Sequence, residues 1–334
     1  MRTSTVLILS QAGDAHIAPV KEALERRGAR VLSCDLADFP EQIQVSARLA
    51  SSPWRGELRI EGQLVALEEI SSVWWRRPQR SHAPEGYEPA VRTWLDQEAY
   101  SGFLGLLLGS SAARSPVWVS RPDRIRAAEF KASQLVAAHS LGLRTPRTLF
   151  TNDPAAARAF YEQLEGRVVC KAVWKSQVPF SEGTATQPRF LYTNQVRAEH
   201  LAWLDGVQAT MHCFQEEIEK ACDLRVVVIG RQMFAVEIHA QAERARLDWR
   251  RAYADLRYRV HRLPAEIEHA LFSLVRLFGL HYSAMDLMLT PEGEYHWLEL
   301  NPNGQFLWLA HPTGLPLAEA MAQVFCSPEE EGLW

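Results

Sequence analysis

Asp286, Glu299 and Asn301 stand in two apolar runs, 282–289 and 294–301, on either side of the turn Thr290-Pro291-Glu292-Gly293. Two such runs around a Pro/Gly turn predict a β-hairpin. With Leu289 facing Glu294 across a four-residue loop, Asp286 faces Trp297, and alternation puts Glu299 and Asn301 on the face of Asp286. Two carboxylates and an amide oxygen roughly 7 Å apart are hard donors of the kind that hold Mg²⁺, which keeps several waters and completes its shell on a substrate phosphate. The competing reading is an edge hairpin with its polar side in water. Carboxylates inside apolar runs argue against it, because burying them unpaired is costly.

A second charge sits where an apolar strand is expected. Lys171 alternates with Val169 and Val173 in the run 167–174, so its ammonium needs an anionic partner, and a nucleotide phosphate would supply one. The following stretch, 175–189, is rich in Ser, Gly, Thr and Pro, with Gly183, Thr184 and Thr186 at its centre. It reads either as a lid over phosphates or as a surface linker. From Gln241 to Arg262, seven Arg outnumber Glu243, Asp248 and Asp255 in a chain of net charge −4. This local excess reads as a site for an acidic partner, with Arg244, Arg246, Arg250, Arg251 and His239 as candidate contacts, or as a solvated surface. Single histidines among strands, such as His239 and His281, are more often structural groups.

The elements that must position these side chains are readable in outline. Residues 5–9 predict a buried strand, 15–27 a helix with Ile17, Val20, Ala23 and Leu24 on one face, and Val31-Leu32 a second strand, a βαβ-like opening. Between strand and helix stands Gln11-Ala12-Gly13-Asp14 rather than GxGxxG, which excludes a nicotinamide fingerprint. Short strands follow at 57–60 and 63–67, then a helix at 89–108 that closes the first unit. One helix is expected from Asp123, as N-cap, to Gly142, with Lys131 inside it. Another follows Asp153-Pro154 through Leu164, and an amphipathic one spans 266–278. The fold class expected is α/β (α+β), in three units: 1–118, 119–213 and 214–327.

Size and composition narrow the function classes. With 334 residues, 47% hydrophobic and 23% charged, the chain can bury several cores. No apolar run reaches the ~18 residues of a membrane span, and the opening apolar run is too short for a secretory signal, so a cytoplasmic, membrane-free setting is expected. Five scattered cysteines without a CxxC pair argue against a disulfide framework or a zinc site. Negative net charge and the lack of a recognition motif argue against nucleic acid. The acidic tail 327–334 is expected to fray.

Several strings together resemble one family. The stretch Glu299-Leu300-Asn301-Pro302-Asn303-Gly304-Gln305-Phe306-Leu307-Trp308, the string Trp74-Trp75-Arg76-Arg77-Pro78, and Asp223-Leu224-Arg225 resemble the ATP-grasp enzymes that mature ribosomal peptides, the microviridin-type or graspetide synthetases. The pieces Glu237-Ile238-His239-Ala240-Gln241 and Asp248-Trp249-Arg250-Arg251 are similar to the same family. The resemblance implies an ATP-grasp fold with an N-terminal pre-ATP-grasp domain, and ATP and Mg²⁺ as cofactors. It implies that Lys131 and Lys171 hold ATP phosphates, that Gln215, Glu216 and Ile218 border the adenine, and that Glu219 or Asp223 meets the ribose. Arg225 would sit on the γ-phosphate, and Asp286, Glu299 and Asn301 would hold Mg²⁺. The implied reaction phosphorylates Asp or Glu side chains of a precursor peptide and joins them to Thr/Ser hydroxyls or Lys amines, with a homodimer as the expected assembly. Two alternatives compete: a ligase adding a free amino acid to a peptide or protein carboxylate, and an inactive nucleotide-binding module.

Overall fold

A computed structural model of the chain describes residues 4–50, 54–110, 116–174, 176–182 and 185–327, with backbone only at 178–182 and 185–188. The tail 328–334 lies outside the described residues. In the N-terminal unit the apolar strand β1 (Thr5–Ser10) is buried along its whole length. Helix α1 (Ile17–Arg26) buries Val20, Ala23 and Leu24, one stripe of a 3.6-residue period, and leads into β2 (Arg30–Cys34). Strands β3 (Ile43–Arg48), β4 (Arg55–Ile60) and β5 (Gln63–Ala66) form a separate antiparallel meander. After β6 (Ile70–Arg77), helix α2 (Pro89–Gly109) leads to β7 (Val117–Val119). The main sheet, ordered β2-β1-β6-β7, is entirely parallel.

The single helix expected over 123–142 is two: α3 (Pro122–Ala128) and α4 (Lys131–Ser140). Phe130 is extended (φ −80, ψ 101), so the chain turns there and Lys131 becomes the first residue of α4. Asp123 lies inside α3 rather than capping it; Arg121 holds the cap position. Strand β8 (Thr148–Thr151), helix α5 (Pro154–Gln163) and β9 (Val168–Lys171) follow, Asp153 capping α5 through the N–H of Ala155 at 2.8 Å.

The stretch expected as a loop at 175–189 is largely a hairpin. β10 (Gln177–Glu182) and β11 (Ala185–Phe190) pair only with each other, and the turn residues Gly183 and Thr184 lie outside the described residues, as does the Thr186 side chain. Strands β12 (Asn194–Gln195) and β13 (His212–Glu216) complete the central sheet, β12-β9-β13-β8. β13 straddles the expected boundary at 213/214 and belongs by pairing to this central sheet.

The third sheet carries the chemistry-bearing residues. β14 (Cys222–Ile229), β15 (Gln232–Ala240), β16 (Leu256–His261), helix α6 (Ala265–Leu277), β17 (Tyr282–Leu289) and β18 (Tyr295–Asn301) form an antiparallel sheet ordered β16-β15-β14-β17-β18. Alternation sorts β14 by face. Leu224, Val226 and Val228 pack with Leu271, Leu274 and Val275 of α6, whereas Val227 and Ile229 pack with Phe306 and Leu309. Asp223 and Arg225 share the second face nearer the strand's start.

The short α7 (Ala310–Thr313) precedes α8 (Leu317–Cys326), whose Leu317, Met321, Val324 and Phe325 are buried among Val6, Ile8, Val20 and Trp74 of the N-terminal unit. Ser72 Oγ donates to the Phe325 carbonyl at 3.0 Å, so the first and last parts of the chain share one core. None of the described helices is long and apolar enough to cross a membrane.

Candidate active site

The hairpin β17–β18 differs from its expected register in a way that makes the site. Leu289 faces Tyr295, not Glu294, and the pairing shifts between Asp286 and Leu287, so Asp286 faces Glu299 and Leu298 is an extra residue in β18. Such a β-bulge reverses which side chains face which way. Trp297 enters the core under the sheet with Met285 and Leu287, while Glu299 and Asn301 reach Asp286 on the other face. Strict alternation would have sent Trp297 and Glu299 to the same side.

Asp286 is met across the sheet by Arg225, whose Nη1 donates to both carboxylate oxygens at 2.8 Å. Arg225 Nη2 donates to the Gln305 carbonyl at 2.9 Å, and its Nε is buried without an acceptor among the described residues. Gly304 is required beside it: a Cβ there would stand 2.6 Å from the Ala284 Cβ and 2.8 Å from Arg225 Nη2. Asn301 Nδ2 donates to Asp286 Oδ2 at 3.1 Å and to Glu299 Oε1 at 3.2 Å. The trio is thus brought together, with the amide nitrogen rather than its oxygen facing the acids.

Lys131 Nζ is ion-paired to Glu299 Oε2. Its placement comes from Gln134, one turn on, whose amide donates to the Leu300 carbonyl at 2.8 Å and accepts from the Leu300 N–H at 3.0 Å, fixing α4 against β18. Lys171 stands opposite Cys213 and turns into the same charged centre, with no hydrogen-bond partner among the described residues. Burial pulls its ammonium below the usual lysine range, and the neighbouring Lys131 pulls it further, against the attraction of Glu299. Burial would raise Glu299, yet Lys131, Lys171 and Arg250 hold it well below the usual carboxylate range. Asp286 is pushed up by burial and by the charge of Glu299 despite Arg225. The two acids therefore sit in opposite electrostatic settings a single amide apart.

The cleft around them has a volume of about 2080 Å³ and is walled by Glu216–Asp223 on one side and the 243–253 segment on the other. Glu216 is held by Arg147 through Nε at 2.9 Å and Nη2 at 2.8 Å. Gln215 donates to Thr148 Oγ1 at 2.9 Å and does not line the cleft, whereas Ile218 and Glu219 do. Glu219 is exposed; Asp223 is 6% exposed and pushed up to about 6 by burial. Lys220 Nζ bonds both Asp223 oxygens at 2.7 Å, a partner that sequence reasoning missed although a Lys three residues before a buried strand acid is a usable signal.

Arg244, Arg246, Arg250 and Arg251 all line the cleft. Arg250 is aimed by Asp248, which accepts from its Nε at 2.8 Å and Nη2 at 2.6 Å. Arg251 lies over the Tyr192 ring, 5.1 Å from its centroid, and donates to Asn194 Oδ1 at 2.6 Å. Arg244 reaches Asp255 at 3.4 Å, and Arg246 is exposed. His239 is the exception among the expected contacts. It lies on the opposite face of the sheet, its Nε2 2.7 Å from Glu237 Oε2, because position 239 alternates with the cleft-lining Ile238 and Ala240. Glu237, His239 and Cys222 have metal-ligand chemistry, but Glu237 already accepts from Arg259 Nε and Nη2 and faces His239 and His261, which uses up its lone pairs.

The Trp-Arg-Arg-Pro string is largely interior. Trp74 and Trp75 are buried in apolar cores, and Arg76, with none of its surface exposed, is ion-paired to Asp14 at 3.1 Å. Asp14 and His16, in the turn after β1, were given no role from the sequence. The usable signal is their position at the carboxyl end of a parallel strand, where functional loops gather.

Comparison with known proteins places this geometry. Residues 5–126 match the profile of the MvdD pre-ATP-grasp domain. The macrocyclase MdnB from Microcystis aeruginosa MRC is 31% identical over 97% of this chain and 99% of its own, with a TM-score of 0.78. The macrocyclase MdnC of the same organism, solved with precursor peptide MdnA, is 29% identical over 96% and 99%, with a TM-score of 0.82. A RiPP-associated ATP-grasp ligase from Chryseobacterium gregarium, in complex with ADP and a leader and core peptide, is 26% identical over 98% and 97%, with a TM-score of 0.87. No curated protein matches by sequence search.

Proposed function

The chain belongs to the graspetide synthetases, the ATP-grasp ligases that mature ribosomal peptides, and on that premise we propose that it is a macrocyclase joining Asp or Glu side chains of a precursor peptide to hydroxyls or amines of the same peptide. One observation carries the reading: the cations Lys131, Lys171 and Arg225 and the acids Asp286 and Glu299 converge at the floor of a cleft of about 2080 Å³ whose far wall is arginine and aromatic. Small-ligand pockets are typically ~300–1,000 Å³. This one is large enough for a nucleotide together with a length of peptide.

The donor set fits a hard cation. Mg²⁺ between Asp286, Glu299 and the Asn301 amide, turned to present its oxygen, would neutralise charge on the triphosphate. Lys131 would exchange Glu299 for phosphate oxygens, Lys171 would donate to phosphate beside it, and the buried Arg225 donates into the same floor, where charge moves as the peptide carboxylate attacks the γ-phosphorus and ADP leaves. The fixed cations do not reorganise during that step. The acyl phosphate so formed has a good leaving group, and attack by a hydroxyl or amine at its carbon expels phosphate and closes the ring. Glu216 and Ile218 would border the adenine. Asp223, buried with Lys220, suits the ribose hydroxyls better than the exposed Glu219. Arg250, locked by Asp248 and close enough to Glu299 and Asp286 to feel their charge, would orient the peptide carboxylate. The five cysteines are free thiols, which fits a reducing cytoplasm; a homodimer is the proposed assembly.

The deciding experiment is mass spectrometry of a Thr- and Glu/Asp-rich peptide encoded beside the gene, incubated with the protein, ATP and Mg²⁺. Loss of one water per ring with release of ADP and phosphate is expected. ATP-dependent gain of an amino acid, or an unchanged peptide without ADP release, would overturn the reading.

A further inference from the structure

We infer that Arg76, His16 and Asp14, all from the N-terminal unit, are positioning residues for the reaction, acting on Arg225 through the backbone of residues 303–306. Arg76 leaves β6 and donates through Nη1 to the carbonyls of Asn303 at 2.6 Å and Gly304 at 3.1 Å. Arg77 adds a bond to the Asn303 carbonyl at 3.1 Å, and the Tyr282 hydroxyl one to the Gly304 carbonyl at 2.7 Å. His16 Nε2 accepts from the Phe306 N–H at 3.1 Å. That donor assigns the tautomer. The proton is on Nδ1, 2.8 Å from Asp14 Oδ1, and Asp14 Oδ2 in turn accepts from Arg76 Nε at 3.1 Å.

The residue between the fixed points is Gln305. With Asn303 and Gly304 held on one side and Phe306 on the other, the Gln305 carbonyl has little freedom, and it is this carbonyl that holds Arg225 Nη2. Arg225 Nη1 then holds Asp286. The network is deep: Arg76 has no exposed surface, Asp14 and His16 are nearly as buried, and Gly304 leaves no slack beside Arg225. An ion pair buried so fully is weak evidence for stability, because a well-packed apolar set can replace one without loss. Its distinctive effect is geometric: it fixes three successive peptide units beneath the group that meets the γ-phosphate.

This inference rests on the phosphate role of Arg225 proposed above. Its test uses the full-length protein with ADP and adenylyl imidodiphosphate, each with Mg²⁺, as calorimetric probes, alongside ADP release with the precursor peptide. His16→Gln keeps an acceptor near the Phe306 N–H; His16→Asn keeps only the donor toward Asp14. Arg76→Lys keeps the charge but loses the fork. His16→Asn and Arg76→Lys should lower kcat about tenfold or more, with peptide KM nearly unchanged, since a small misplacement of a charged group is enough. They should also narrow the preference for the triphosphate analogue over ADP, and His16→Gln should restore both. If Arg76→Lys fails to fold, the His16 pair decides alone. Equal kcat and equal nucleotide preference in His16→Asn and His16→Gln would overturn the inference, as would a loss proportional to the unfolded fraction. If the unaltered protein releases no ADP with the peptide, the macrocyclase reading fails, while the analogue-to-ADP preference still tests the positioning role.

Discussion

Lys171 brings an ammonium into a half-buried position on the cleft floor beside a second lysine, with Glu299 as the opposing charge. A buried cation without a hydrogen-bonded partner destabilises the protein that holds it. Replacing it by a side chain of similar length should therefore separate stability from activity. Lys171→Met is expected to raise Tm while ADP release falls by about 10²-fold or more, the scale of losing one preorganised charge; a lower Tm, or retained turnover, in a melting and ADP-release assay would remove Lys171 from the site. The same burial is expected to set an alkaline limit of activity, lost as pH rises. Because the ammonium is held below its ordinary 10.5, kcat/KM for ATP should begin to fall below that pH, and the limb should vanish in Lys171→Arg. Residues of this kind were legible in the sequence, since a charge inside an apolar run has to be accounted for. Their partners were not. Lys220 against Asp223 and Gln134 against Leu300 depend on which strands meet, and no local pattern contains that.

Between residue and molecule, the hairpin β17–β18 shows what periodicity can and cannot give. The apolar runs and the Pro/Gly turn announced both strands, but alternation counted from the turn put Asp286 opposite Trp297; pairing that starts at Tyr295 rather than Glu294 and one bulged residue, Leu298, together moved it opposite Glu299. Bulges depend on cross-strand fit, which a single strand's sequence does not encode. The break at Phe130 and the β10–β11 hairpin escaped for the same reason: propensity carried the helix through, and turn-rich composition hid the strands. Deleting Leu298 leaves Trp297 and Glu299 adjacent and on opposite faces, so Glu299 should stay opposite Asp286 in a regular ladder and ADP release should persist; its loss in an ADP-release assay would mean that the extra residue itself is needed. On the far face of the same sheet, burial would raise Glu237, but hydrogen bonds from Arg259, His261 and His239 bring it down to about 2. Its ordinary value is 4.5, so the carboxylate's contribution to stability is complete above that pH and is lost as pH falls toward about 2. Acid titration of Glu237→Gln, followed by circular dichroism, should show a shallower loss across that window.

At the level of the whole molecule, the βαβ opening, the late hairpin and the order of charged residues were enough to anticipate the architecture, but not that the two ends of the described chain share a core. Met321 is fully buried among residues of both the N-terminal unit and the third sheet. Met321→Ala should lower stability by about 2–5 kcal/mol in urea or thermal unfolding and do so in one transition. Two separated transitions would mean that the N-terminal unit melts independently. Helix α8, placed between Val6, Ile8 and Trp74 on one side and Val227 and Ile229 on the other, has a consequence for how such chains can be recombined. A chimaera that borrows a foreign N-terminal unit must import the matching helix from the far side of the two ATP-grasp sheets in sequence, so useful crossovers here come in pairs.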